Sequence, residues 1–207
     1  MTFKIRQPDE KLKQISGEVQ STAGYLRRQK WTAPDAAAAD YVHANITLTT
    51  DIQQIATGIT NPDFPRIVTI KGTKAGATLT GNVVITGTNI RDEVITDTIA
   101  LNGDTEVAGV KAFKTITNIQ VPVRVTAADV VSIGASDALG LDRCMQGNEV
   151  VLATIDGAYE ATRPTVTYHA TDISKNTVNP HTALDADVDM GVVYVTVEKT
   201  SKKQTTA

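Results

Sequence analysis

Apolar and polar residues alternate along most of this chain with the two-residue period of β-strands rather than the 3.6-residue period of helices. The clearest stretch is Gly81 to Gly103, GNVVITGTNIRDEVITDTIALNG. Val83, Val84, Ile85 and Thr86 form a β-branched run that packs well on a pleated surface. Gly87, Thr88, Asn89, Arg91 and Asp92 break the run as turn chemistry. Val94 to Leu101 then reads as a second strand, with Ile95, Ile99 and Leu101 on one face and Thr96 and Thr98 on the other. Asn102-Gly103, tolerant of positive φ, predicts a hairpin turn.

The same pattern continues from Ala44 onward. It predicts strands over Ile46–Thr49, Ile67–Lys71, Asn82–Thr86, Val94–Leu101, Ala112–Ile119, Val130–Ile133, Val150–Thr154, Thr165–His169 and Val192–Glu198. Between them stand turn signals at Asn61-Pro62, Gly72 to Gly76, Gly134 to Asp137, Gly147-Asn148, Asp156-Gly157 and Asn179-Pro180. Phe113, Ile116 and Ile119 recur every three residues; the threonines among them favour a bulged strand over a helix. The expectation is an all-β chain, an antiparallel β-sandwich of immunoglobulin-like or jelly-roll-like type, with an extended N-terminal arm.

Residues 1–40 read differently, as a basic arm and linker before a sandwich domain over 41–198 and a polar tail over 199–207. Leu12, Ile15 and Val19 make a short helical stripe that Gly17 and Gly24 cut. Lys4, Arg6, Lys11, Lys13, Arg27, Arg28 and Lys30 face only three acidic residues up to position 30. That segment is net +4, leaving −7 for the rest of a chain of net −3. A basic leader on an acidic body points to an arm that docks on a neighbouring subunit, with Trp31 as its anchor. Deleting Met1 to Lys30 is then expected to leave the sandwich folded and to weaken assembly. The acidic balance argues against a nucleic-acid partner.

Candidate chemistry changes the picture little. Hydrophobic residues are 41% of the 207 and aromatics 4%, so the core must be built mainly of aliphatic side chains. One cysteine, Cys144, permits no intrachain disulfide, and no segment has the length and apolarity of a signal peptide or membrane span. Asp185, Asp187 and Asp189 resemble the start of a calcium loop, but Met190 occupies the glycine position and Thr196 the bidentate glutamate position. They read as a solvated edge, with no metal. His43, His169 and His181 lack ligand spacing, and a Cys144–His169 pair reads as a buried thiol and a surface imidazole. Lys71 to Gly76 lacks the phosphate-loop frame. No catalytic residue, cofactor or metal is expected.

The succession NPDFPRIVTIKG (Asn61 to Gly72), GNVVITGTN (Gly81 to Asn89), ITDTIALNG (Ile95 to Gly103) and KAFKTITNI (Lys111 to Ile119) resembles a group of virion structural proteins of tailed bacteriophages. These are small β-sandwich proteins of heads and tails. The resemblance spans Asn61 to Val197 and implies a structural role with no catalytic residues to carry over. It implies a location in the virion, with the major capsid protein and copies of the chain itself, in trimers, as partners. Short strands and a basic arm favour a capsid decoration or cement protein. The alternatives are a tail or fibre component, or a carbohydrate- or receptor-binding sandwich module.

Overall fold

The computed structural model describes residues 24–73 and 78–197. The expected short helix around Leu12 to Val19, the leader residues Lys4, Arg6, Lys11 and Lys13, the loop residues 74–76 and the tail over 199–207 lie outside the described residues.

Every extended element described is antiparallel, so the all-β expectation holds. In chain order the strands are β1 (Gly24–Trp31), β2 (Ala38–Thr47), β3 (Gln53–Ile55), β4 (Arg66–Thr73), β5 (Asn82–Thr88), β6 (Val94–Ala100) and β7 (Val107–Phe113). They continue as β8 (Thr115–Val121), β9 (Val130–Gly140), β10 (Val150–Ile155), β11 (Ala158–Tyr159), β12 (Thr165–Thr167), β13 (Thr177–Asn179) and β14 (Met190–Val197). One 3₁₀ turn, Ile173–Lys175, precedes β13.

Among the described residues three sheets result. The middle one runs β12-β13-β9-β4-β7, with β2 also on β9. One flanking sheet is β3-β8-β5-β6, the other β1-β14-β10-β11. The middle sheet serves two cores. Val68, Ile70, Val131 and Ile133 meet Val83, Ile85, Ile99, Ile116 and Ile119 in the first. Leu139 and Val178 meet Trp31, Val192, Tyr194 and Ala153 in the second. Burying each such aliphatic side chain stabilises by roughly 1.5–3 kcal/mol, the ordinary driving force for stacking sheets.

β9 is the strand that both cores share. It was expected to stop at Ile133, with a turn at Gly134 to Asp137, yet it runs on to Gly140. The glycine marks a close approach instead of a turn. A Cβ on Gly134 would lie 2.4 Å from the carbonyl oxygen of Ala38 and 2.6 Å from Thr69 Oγ1.

Two further expectations are corrected. Asn102-Gly103 turns the chain tightly but joins no ladder: among the described residues β6 pairs with β5 and β7 with β4, so the chain changes sheets there. Gly103 does take φ +60°, and Asn102 bridges to Thr105, closing a tight corner. Ala112–Ile119 is likewise two strands in two sheets, split at Lys114. The period of three was a sheet change followed by a bulge, where β8 slips register opposite Thr86 and Gly87.

The inward face of β6 carries Ile95, Ile99 and, beyond its end, Leu101, but also Asp97, which is 6% exposed. Its carboxylate accepts from the amides of Val110 (2.7 Å) and Lys111 (3.1 Å) on β7. A buried charge is thereby satisfied by backbone donors, and the edge of one sheet is latched to the edge of the next.

The segment expected as a linker is also pinned. Arg66 is fully buried. Its Nη1 donates to the Asp35 carbonyl at 2.8 Å, and its guanidinium lies 5.9 Å over the Tyr41 ring. Nη2 sits 2.6 Å from Asp63 Oδ1, an ion pair lying off the hydrogen-bonding line. Asp63 accepts from the Asp35 amide, and Tyr41 donates to the Asp35 carboxylate at 2.6 Å. Burial, then that hydrogen bond, push the Tyr41 hydroxyl up to about 12. Pro34 and Ala36 to Ala39 therefore join two strands of the body under constraint.

Candidate functional site

The leader residues expected to dock on a partner divide at Gly24. From there to Trp31 the chain is β1, paired to β14 through eight consecutive positions without a register shift, from Gly24 opposite Val197 to Trp31 opposite Met190. Trp31 is 2% exposed and sits in the second core, so it anchors β1 to its own body. Without Arg27, Arg28 and Lys30, residues 1–23 hold four basic and three acidic side chains, net +1. The strong positive charge belongs to an edge strand.

Alternation puts Arg27, Gln29 and Trp31 on the inner face of that strand. Arg27 Nε donates to both oxygens of Asp142, at 3.1 and 2.9 Å, and its Nη2 pairs with the same carboxylate. The Tyr194 hydroxyl donates to Asp142 from β14. Gln29 bridges Gly140 O and the Asp142 amide, both at 3.1 Å. Burial alone would raise the Asp142 carboxyl; hydrogen bonds from Arg27 and Tyr194 outweigh it and hold the group below its usual range. The Tyr194 hydroxyl is pushed well up by burial and by that bond, and the Arg27 guanidinium is raised by its bond to Asp142.

Leu26, Arg28 and Lys30 share the outer face. Lys30 Nζ lies 2.5 Å from Asp189 Oδ2, and Asp189 Oδ1 accepts from the Ala33 amide at 3.1 Å. The backbone of these three residues matters more. Val195 donates its amide to Glu149, so it faces away from β1, and Leu26 opposite it is a non-hydrogen-bonded pair. By the same alternation Leu26, Arg28 and Lys30 turn their amides and carbonyls outward. Among the described residues β1 is the edge of its sheet, an open row of donors and acceptors bordered by cations.

The remaining candidates are scattered. Asp185, Asp187 and Asp189 lie in the loop before β14 rather than along a strand. The Asp187 amide donates to Asp185 Oδ1, and Asp189 is taken by Lys30. Among the described residues no group of three or more His, Cys, Asp or Glu converges as a metal site. The His169 Nδ1 accepts the amide of Asp172 at 2.9 Å. Buried Asn176 accepts from the Met145 and His169 amides through one oxygen, and donates to the carbonyls of His169 and Asp172. The Cys144 loop and the His169 loop are thus stitched by a side-chain amide. His43 Nδ1 lies 3.0 Å from Ala44 O, and His181 stands in the turn after β13.

Two outcomes follow from β1 as part of the body. Removing residues 1–23 should leave equilibrium unfolding, followed by the fluorescence of the sole tryptophan, within about 0.5 kcal/mol of the full chain. Removing Met1–Lys30 strips β14 of its partner and frees Trp31, and should cost at least about 3 kcal/mol, the scale of an indole lost from a core. For the acid group, a lowered native pKa means stability that is full above the ordinary value of 3.8 and lost as pH falls below it. Asp142→Asn should therefore melt below the unaltered chain at neutral pH, with the gap closing in acid; a gap independent of pH would refute the assignment.

Comparison of this chain with protein-family models, with curated proteins and with solved structures gives no match, so its function is read from the residues and geometry above.

Proposed function

We propose that the chain is a non-enzymatic structural protein of a tailed-phage virion. In this reading it is a head decoration protein that docks on the major capsid protein and on copies of itself. The observation that carries the reading is the arrangement around β1. Gly24 lies opposite Val197, so the described chain begins and ends side by side, at one end of β1, the edge of its sheet among the described residues. One pole thus carries both a sheet edge and the two points from which residues 1–23 and 198–207 continue.

Further support comes from where the phage-like phrases fall. Asn61 to Gly72 leads into and forms β4, Gly81 to Asn89 forms β5, Ile95 to Gly103 forms β6 and its corner, and Lys111 to Ile119 spans the β7–β8 switch. All of them build the first core. In the assembly β1 takes up a strand of its neighbour by main-chain hydrogen bonds, the mode by which sheet edges recruit extended segments.

The test exploits the direction of one amide. Arg28 points its N–H outward, so Arg28→Pro removes a docking donor while leaving the bonds between β1 and β14 intact. Binding to purified expanded shells should fall at least about tenfold, a loss of roughly 1.4 kcal/mol, with the monomer still folded. Arg27→Pro, which removes an inward bond, should instead unfold the strand. Shell occupancy unchanged by Arg28→Pro, or a chain found in isolated tails and absent from heads, would overturn the reading.

A further inference from the structure

The outer face of the β1-β14-β10-β11 sheet holds a row of four residues, one per strand. Lys30 lies opposite Gly191, Gly191 opposite Thr154, and Thr154 opposite Tyr159. The row therefore reads cation, glycine, hydroxyl, aromatic ring. The glycine is required there: a Cβ on Gly191 would stand 2.8 Å from Thr154 Oγ1, which donates to the Gly191 carbonyl at 3.4 Å. Around it opens a shallow depression of about 240 Å³ lined by Arg28, Lys30, Thr154, Asp156, Asp189 and Gly191. On the next strand, opposite Thr154, Tyr159 is 74% exposed, among the most exposed large apolar side chains of the described residues.

The walls are held in place before anything binds. Asp156 and Gly157 both take positive φ, +48° and +77°, the two-residue turn whose twist matches the flanking strands β10 and β11. The Asp156 amide donates to the Asp189 carbonyl at 2.7 Å, tying that turn to the entry of β14. Lys30 and Ala33 fix the Asp189 carboxylate from the other side.

The chemistry of the lining selects the ligand class. Arg28 and Lys30 supply donors, Asp156 and Asp189 supply acceptors, and the four charges cancel. A bare anion would meet two carboxylates, and a bare metal ion would meet two cations. A group that donates and accepts at once, a hydroxyl, satisfies both kinds of wall, and adjacent hydroxyls on a ring satisfy them together. The exposed face of Tyr159 offers an apolar plane for the carbon face of such a ring. The depression is smaller than the clefts that enclose drug-sized ligands, so it has room for one ring with the remainder in solvent.

We propose that this depression is a saccharide subsite that takes one neutral pyranose unit of a glycan, stacked on Tyr159 and held by Asp156, Asp189, Lys30 and Arg28. Single-site affinity is weak, as expected for so open a site, and repetition of the chain on a particle supplies avidity. The subsite shares Arg28 and Lys30 with the docking strand and its avidity rests on the assembly reading, but Tyr159 lies on β11, at the opposite edge of the sheet from β1, and separates the two.

The test is an array of neutral and acidic glycans probed with the full chain, followed by amide-resolved titration with the strongest neutral binder. Neutral glycans should bind, with shifts centred on Thr154, Gly157, Tyr159 and Gly191. Tyr159→Ala, an exposed site that leaves the fold alone, should weaken binding at least about tenfold. An array without neutral binders, binding restricted to acidic glycans, or affinity indifferent to Tyr159→Ala would each overturn the proposal. Tyr159→Ala should leave shell occupancy unchanged, so failure of the subsite and failure of the assembly reading are separate results.

Discussion

The fold depends on one strand doing the work of two. β9 pairs with β4 on one side over most of its length, and on the other side first with β2 and then with β13. Its first half sends Val131 and Ile133 into one core, its last residues send Leu139 into the other. Continuity of that backbone converts two sandwich-like halves into a single body. The cost is crowding where β2 crosses it, and this is why a glycine stands at 134 and why the β2–β9 register slips between Ala38, His43 and Ile46.

That arrangement decides what the basic N-terminal region can be. With the second core built around β14, a strand is needed to cover the inner face of the sheet and bury an indole against it. β1 does so, and its cations acquire partners: Arg27 takes Asp142, and Lys30 takes Asp189. Ion pairs exposed to this degree contribute little to stability on their own. They offset Arg27 and Lys30, and among the described residues no strand covers the outer edge of β1. An exposed strand edge is a template for pairing with another extended segment, and charged side chains along it hold such pairing in check.

Much of this was legible in the residues themselves, and the parts that were not share a cause. β4, β5, β6, β10 and β14 were readable because β-branched runs alternate with polar residues at short range. Asp156-Gly157 was readable because positive φ at both positions is a local demand. β1 read as an arm because GYLRRQKW has cations where a strand shows apolar alternation, and the carboxylates that satisfy them lie more than a hundred positions away. Asp97 hid for a similar reason: its donors are backbone amides of another sheet. Gly134 and Asn102-Gly103 carry the same turn-like signal, and only packing separates a close approach from a corner. The row across Lys30, Gly191, Thr154 and Tyr159 comes from four strands, so no local pattern in the chain could reveal it.

The shared strand makes a direct demand on cooperativity. Scanning calorimetry of the full chain should show one transition whose calorimetric enthalpy equals its van't Hoff enthalpy, because neither core can lose β9 without exposing the other. Two resolved transitions, with the tryptophan environment around Trp31 lost in one and the β3-β8-β5-β6 sheet surviving to the next, would contradict it.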